Sequence, residues 1–239
     1  MFRGKKILAI VPARSGSKGL PNKNIKLFCG KPLICWTISE AKRSKYIDDV
    51  TVSTDSPRIA EISKKAGAIV PFLRPPELAT DTASSMDVVF HAISEFEKIN
   101  GRYEIVLLLQ PTSPLRVSED IDNAVELLIK QKAKAIVSLT EALVNPSWVN
   151  VLPANGCIKD FLHCSVINKR RQVLPKYFQL NGAVFLGYAK YLKGTGTFYT
   201  AKTYAYIMPR ERSVDIDDIF DFKLAEIIMR ERMKNKRRK

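Results

Sequence analysis

Four short runs of β-branched and other apolar residues constrain this chain more than anything else in it: Lys6–Val11 (KILAIV), Asp49–Ser53 (DVTVS), Ile105–Leu109 (IVLLL) and Ala135–Leu139 (AIVSL). Each is near strand length and largely apolar at successive positions, which suits a strand buried on both faces, as in a parallel sheet. Helical patterns lie between the runs. Ser56-Pro57 offers an N-cap followed by proline at the first helical position, and that segment closes on Gly67. Met86, Val89, Phe90, Ile93 and Phe96 recur at helical spacing, and Ser118 caps a further helix carrying Ile121, Ala124, Val125 and Leu128. Strands alternating with such helices predict an α/β fold with a mostly parallel sheet and helices on both faces.

With 239 residues, 46% of them apolar, the chain can bury one sizeable core, and 1–239 reads as a single domain. From Asn145 to Ala201 the alternation breaks at Pro146, Pro153 and Pro175, around the basic run 168–171 and the strand-like Gly182–Gly187. We read 145–201 as an inserted arm. The chain then returns to a strand-like stretch, Thr203–Met208, and a final helix after Asp217. No uninterrupted apolar run reaches ~18 residues, so no membrane span is expected, and the N-terminus lacks a signal h-region. A cytoplasmic protein is the expectation.

Cys29, Cys35, Cys157 and Cys164 show no C-x-x-C spacing, and His91 and His163 are the only histidines. A metal here would therefore be a hard cation held by carboxylates and phosphates. Of the net charge of +15, about +6 belongs to a basic tail at 230–239, which reads as a solvated helix end; the remainder is spread over the body. Charge alone would also suit a nucleic-acid-binding protein. The body's lysines and arginines, however, cluster in glycine- and proline-rich loops, not with aromatics on one exposed face.

In α/β sheets ligands bind beyond the carboxyl ends of the strands, and the loops that follow these strands are polar. The first, PARSGSKGLPNKN (12–24), surrounds Gly16 and Gly19 with Arg14, Lys18 and Lys23. Glycines let backbone N–H groups turn toward an anion, and the cations add fixed positive charge. This is not a Walker loop, because the chain's Gly30-Lys31 pair is followed by Pro32. A basic surface turn is the plainer reading of the loop in isolation. In SVDIDD (213–218) an extended backbone would put Asp215 and Asp217 on one face and bury Val214 and Ile216 on the other. That pair suits one hard cation, although capping of the last helix would also account for the carboxylates. In FLRPPELATDTASSMD (72–87) two prolines stiffen the chain after Arg74, whose guanidinium can donate to a pyrimidine; Thr82, Ser84 and Ser85 could equally begin a helix. Gln110, at a strand end and fixed by Pro111, can hydrogen-bond a polyhydroxylated ligand or sit in a plain turn.

Taken together and in order, PARSGSKGLPNKN, VSTDS, LRPPELATDTASS, LLLQPTSPLR, RRQVLP, NGAVF and SVDID resemble the acylneuraminate cytidylyltransferases, which make CMP-sialic acid and related CMP-nonulosonates. The resemblance spans nearly the whole chain. It implies a Rossmann-like nucleotidyltransferase domain, CTP and a nonulosonic acid as substrates, Mg²⁺, and a homodimer whose arm reaches the neighbour's active site. It implies no nucleic acid or membrane partner. Carried over by position, it places Arg14, Gly16, Ser17, Lys18, Lys23 and Asn24 on the nucleotide and triphosphate, and Arg74 and Ser85 on cytidine. It places Gln110, Arg171, Asn181, Phe198 and Tyr199 at the sugar, and Asp215 and Asp217 on the metal. Lys18, Lys23, Asp215 and Asp217 would be the catalytic set. Lys159, Lys169 and Arg170 are candidates for the residue gripping the sugar carboxylate. N-acetylneuraminate, legionaminate and pseudaminate remain alternatives. The synthetase for 3-deoxy-manno-octulosonate fits less well, since its first loop resembles PAR-x-x-S-x-R-L-P.

Overall fold

The computed structural model describes residues 2–16, 19–162, 166–167 and 169–237. The chain opens with β1 (Ile7–Pro12), a small antiparallel hairpin of β2 (Leu27–Phe28) and β3 (Lys31–Pro32), then α1 (Leu33–Arg43). It continues through β4 (Asp49–Ser53), α2 (Pro57–Lys65), α3 (Ser85–Asn100), β5 (Ile105–Leu108), α4 (Ser118–Lys130) and β6 (Ala135–Glu141). After a long connection come β7 (Phe178–Tyr188), α5 (Ala189–Thr195), β8 (Thr203–Ile207) and α6 (Ile219–Arg237). The six-stranded sheet has the order β4-β1-β5-β7-β6-β8, and only β7 runs antiparallel to its neighbours.

The doubly buried character of β1 follows from the two layers of helices. Ile7, Ala9 and Val11 face a core shared with Ile34 and Ile38 of α1, Ile59 of α2 and Ile121 of α4. Leu8 and Ile10 face the opposite core, against Val89, Ile93 and Phe96 of α3. A strand that feeds two cores has no polar face, which is why the sequence shows a run instead of an alternation. A third cluster joins Phe28 of the hairpin and Leu33 to Ile216 and to Phe222 and Met229 of α6. Among the described residues no helix is long and apolar enough to cross a membrane.

Helix boundaries follow local chemistry. Ser56 caps α2, its hydroxyl accepting from the Ile59 N–H at 3.3 Å, and Gly67 takes φ +90° just after the helix. At α4 the expected cap shifts by one residue: Ser118 is the first helical residue, and Asp120 accepts from the Val117 N–H at 3.1 Å. Asp120 thus satisfies the N–H of the cap position, one half of a capping box, while the Ser118 N–H donates to the Glu40 carboxylate at 3.0 Å.

The stretch read as an arm, 145–201, divides in two. Residues 142–177 hold no strand or α-helix among their described residues, only the short 3-10 helices Pro146–Trp148 and Arg171–Val173 and isolated turns. Phe178–Tyr188, by contrast, is an interior strand, with Leu186 paired to Leu107 on one side and Ile136 on the other. Its apolar residues Ala183, Val184 and Leu186 are buried because the sheet encloses them, so 178–201 belongs to the central domain. The basic tail continues α6 as far as Arg237, and Arg232 is docked, donating to the Leu115 carbonyl at 2.7 Å.

One buried carboxylate fixes the path from β8 toward α6. Asp120 accepts from Arg212 Nε and NH2, both at 2.9 Å, and from the Tyr206 hydroxyl at 3.1 Å. Arg212→Ala leaves that charge buried with only Tyr206 and the Val117 N–H. The variant should lose about 2 kcal/mol of stability in urea denaturation; no change would remove the pair as an anchor of this segment.

Candidate functional site

The loops at the carboxyl ends of β1, β4 and β5 meet the segment before α6. Ala13 N–H donates to the Ser53 carbonyl at 2.9 Å, and Ser15 donates through its N–H and hydroxyl to Asp55 at 2.9 and 2.5 Å. These bonds tie the first loop to the end of β4. Asn24, almost fully buried, donates from Nδ2 to the Arg14 carbonyl at 3.0 Å and so folds the loop on itself. Lys23 donates from Nζ to the Ile216 carbonyl and lies 3.4 Å from Asp217 Oδ1. The Ile216 N–H donates to the Thr112 carbonyl at 2.8 Å. Ile216 is itself fully buried, so its peptide pins three chain segments together.

Three cavities line up along this junction. A cavity of about 410 Å³ is walled by Arg14, Lys23, Asn24, Gln110, Thr112 and Asp217. Next to it, sharing Pro12, Arg14 and Gln110, is a smaller one of about 220 Å³ that includes Arg74, Leu78, Asp81, Ala83 and Ser85. On the far side of Asp217 lies a cavity of about 720 Å³ bordered by Asp215, Gln179, Asn181, Arg210, Leu143 and Leu224. Gln110 thus stands between the first two, and Asp217 between the first and third.

Asp215 is the most constrained charge in the site. Burial pushes its carboxyl above the ordinary value, the neighbouring Asp217 and Asp221 push the same way, and a Thr112 hydrogen bond and the Lys23 charge oppose them. Its buried Oδ1 has no hydrogen-bond partner. An orphaned carboxylate oxygen beside further carboxylates is the arrangement a hard cation would satisfy, so the donor set fits such an ion. Among the described residues no group of three carboxylate, histidine or cysteine ligands forms, leaving the other coordination positions to ligand oxygens. Gly182 takes φ +67°, and a Cβ there would collide with Gln110 Oε1 and lie 3.0 Å from Asp215 Oδ2. Glycine is therefore what lets the glutamine and the carboxylate approach β7. Asp218 accepts from the Phe220 and Asp221 N–H groups at 2.7 and 3.0 Å, so it caps α6 and leaves the 215/217 pair to the cleft.

Several expected contacts are placed differently. Phe198 is a core residue, 4% exposed and packed on Phe185 at 5.5 Å between ring centroids; a ring enclosed this way offers no surface to a sugar. Tyr199 is exposed but borders a separate cavity with Val137, Leu139 and Tyr204. Asn181 lines the third cavity, yet its amide is engaged, donating to Ser213 at 2.9 Å and accepting from Ser138 at 2.6 Å. Arg74 is buried, donating from Nε to Ser53 Oγ at 3.1 Å and from NH2 to the Ser53 carbonyl, and burial lowers its pKa to about 10. Ser85 begins α3, whose cap is Ser84. Gly16 adjoins open space. Lys159, Lys169 and Arg170 are exposed. Ser17 and Lys18 lie outside the described residues, and of Arg171 only the backbone is described.

Four further residues matter. Asp81 pairs with Arg14 at 2.5 Å, Asp55 anchors Ser15, Thr112 holds both Ile216 and Asp215, and Arg116 supports the Gln110 turn from within. Arg116 is fully buried and donates to the Ala183 carbonyl at 2.6 Å and to Thr37 at 2.9 Å. All four lie inside stretches marked by the resemblance, but spacing alone gives no sign of their partners.

A family model described as Cytidylyltransferase matches residues 8–233. The chain is 36% identical to the CMP-N,N'-diacetyllegionaminic acid synthase of Legionella pneumophila, over 94% of this chain and 96% of that protein. It is 40% identical to the N-acylneuraminate cytidylyltransferase of Escherichia coli, over 97% of this chain but only 54% of that protein, so it spans about half that relative's length. It is 34% identical to the pseudaminic acid cytidylyltransferase of Campylobacter jejuni, over 93% and 96% of the two chains. In fold it matches a CMP:2-keto-3-deoxy-manno-octonic acid synthetase with a TM-score of 0.68 at 15% identity, covering 95% of this chain and 99% of that one.

Asp215 yields a signed expectation. Because its carboxyl is raised in the fold, the folded state holds the proton more tightly than the unfolded chain. Its ionisation therefore costs stability as the pH rises from about 4, the unfolded value, through the folded pKa. In a chelating buffer Asp215→Asn should raise the melting temperature at pH 7, with the gain fading as the pH falls toward about 4. A lower melting temperature at pH 7 would contradict this reading.

Proposed function

The chain belongs to the cytidylyltransferase family, and from that premise we propose that it transfers CMP from CTP to the anomeric hydroxyl of a nonulosonic acid, releasing pyrophosphate. The observation that carries the reading is the set of three adjoining cavities, with Arg14 on the wall shared by the first two and Asp217 on the wall shared by the first and third. The smallest, with Arg74 in its wall, suits a single ring. The middle one, between Arg14 and Lys23, suits a triphosphate. The largest, beyond Asp217, sets Gln179, Asn181 and Arg210 beside the apolar Leu143, Leu180 and Leu224 and is roomy enough for a sugar acid. Relatives named for three different nonulosonic acids share similar identity with this chain, which supports the sugar class and not one member of it.

In this arrangement the sugar's 2-hydroxyl attacks the α-phosphorus from the third cavity while pyrophosphate departs into the first. Such transfers depend on positioning and on neutralising charge at the phosphate oxygens. Lys23 is well placed for this: its ammonium is held at the Ile216 carbonyl, its side chain is 13% exposed, and it needs little reorganisation to meet departing oxygens. Arg14 supplies the second charge, its backbone fixed by Asn24. Gln110, on the wall shared by the first two cavities, would orient the nucleotide, and it does not border the cavity assigned to the sugar. A magnesium ion held by Asp215 and Asp217 would neutralise phosphate charge and acidify the attacking hydroxyl.

Assembly as a homodimer is part of the proposal. The arm carries exposed apolar side chains, among them Val149, Leu152, Ile158 and Val151, the last 85% exposed, and a second copy is the natural cover for them. A reaction that consumes CTP suits the cytoplasm.

Pyrophosphate release should require CTP, magnesium and a nonulosonic acid together, with N-acetylneuraminate, legionaminate and pseudaminate tested separately. Lys23→Ala should lower kcat by about 100-fold or more. Absence of release with every sugar would overturn the assignment.

A further inference from the structure

The pairing of β6 with β7 breaks at one point. Val137 pairs with Phe185 and Leu139 with Leu180, so the single residue Ser138 faces Asn181–Val184 across a bulge. Bulges bend a strand and re-aim its side chains. This one is held in shape from within. Ser138, fully buried, donates from its hydroxyl to Asn181 Oδ1 at 2.6 Å and accepts from the Val184 N–H at 2.7 Å. The Ala183 N–H donates to the same Oδ1 at 3.2 Å, and Arg116 donates to the Ala183 carbonyl at 2.6 Å.

The bulge is tied to the segment before α6 through Asn181. Its Nδ2 donates to Ser213 Oγ at 2.9 Å, and the Ser213 hydroxyl donates in turn to the Pro209 carbonyl at 2.8 Å. A backbone N–H can only donate and a backbone carbonyl can only accept, so the chain of bonds from Val184 to Pro209 has one direction and the amide one orientation. A buried network with its members paired in this way specifies one geometry. Two positions after Ser213, Asp215 meets the next residue of the bulge: a Cβ on Gly182 would lie 3.0 Å from Asp215 Oδ2. Asn181 against Ser213 and Gly182 against Asp215 therefore set the carboxylate segment in register with β7. The Ile216 N–H, bonded to the Thr112 carbonyl, fixes the same segment from its other side.

We propose that Ser213 is a positioning residue: through its bond with Asn181 it sets the register of the Asp215/Asp217 segment on the β7 bulge, and with it the aim of the two carboxylates at a divalent cation. This rests on the reading of that pair as a cation site. Removing the Ser213 hydroxyl leaves the Ile216 peptide to hold the segment alone, so the loss should fall on cation affinity and turnover and not on substrate binding.

The test measures Mn²⁺ dissociation constants by electron paramagnetic resonance, without nucleotide, for the intact chain, Ser213→Ala, Ser213→Thr and, as the reference for a lost carboxylate, Asp215→Asn. Melting temperatures in chelator are recorded beside them, with kcat and KM for CTP and for the sugar acid that the parent turns over. Ser213→Ala should weaken Mn²⁺ binding and lower kcat by about tenfold each, with both KM values unchanged. Ser213→Thr, which keeps the hydroxyl, should restore both. Losses below about threefold in both quantities overturn the proposal, as does a lower melting temperature alone. A raised KM for the sugar acid at unchanged kcat overturns it too, since that would make Ser213 a ligand contact. If Ser213→Ala does not fold, Ser138→Ala breaks the same chain of bonds at its buried end and is read against the same limits. A parent whose Mn²⁺ binding survives Asp215→Asn fails the cation-site reading and the proposal with it; a parent that loses it keeps that reading whatever Ser213→Ala does.

Discussion

The peptide of Ile216 holds the site together. Its side chain is sealed in the cluster between the hairpin and α6, its N–H donates to the Thr112 carbonyl at 2.8 Å, and its carbonyl receives Lys23 Nζ. One residue near the C-terminus thereby fastens the loop after β1 and the loop after β5 to the same point. Because side chains alternate along an extended backbone, burying Ile216 turns Asp215 and Asp217 the other way, into the cleft. The carboxylates are positioned by an apolar anchor, and the cation that faces them is positioned by the same peptide.

The arrangement concentrates unfavourable electrostatics where ligands can relieve them. Asp215 is buried against like charges with an orphaned oxygen, Arg74 is a guanidinium lowered to about 10 by burial, and Arg14 is paired with Asp81. The surrounding fold supports this in places that carry no ligand. Asp120 and Arg212 set the path from β8, Arg232 clamps α6 to Leu115, and Asp55 holds Ser15. Functional sites commonly hold such locally costly groups, stabilised by the scaffold around them.

Much of this was legible in the chain because the physics is local. Four of the five parallel strands announce themselves through double burial, and Ser56-Pro57 through its cap. The i, i+2 carboxylate pair is readable once Ile216 is seen as apolar. What escaped reading depends on contacts distant in sequence. β7 follows a proline-rich stretch and is antiparallel, so nothing local separates it from an arm; only pairing with both β5 and β6 makes it interior. The resemblance puts Phe198 and Asn181 at the sugar, whereas Phe198 packs in the core against Phe185 and the Asn181 amide is engaged by Ser138 and Ser213. Asp81 reads as a loop residue until Arg14, 67 positions earlier, reaches it.

The central claim is that the loop after β1, the β5 loop and the Asp215/Asp217 segment form one nucleotide site around Ile216. A crystal structure of the protein with CTP and magnesium tests it most directly. The account predicts the triphosphate between Arg14 and Lys23, the ring in the cavity of Arg74 and Asp81, and the ion on Asp215 and Asp217. Nucleotide bound instead beside Tyr199 and Tyr204, with the Arg14–Asp81 pair intact, would contradict it.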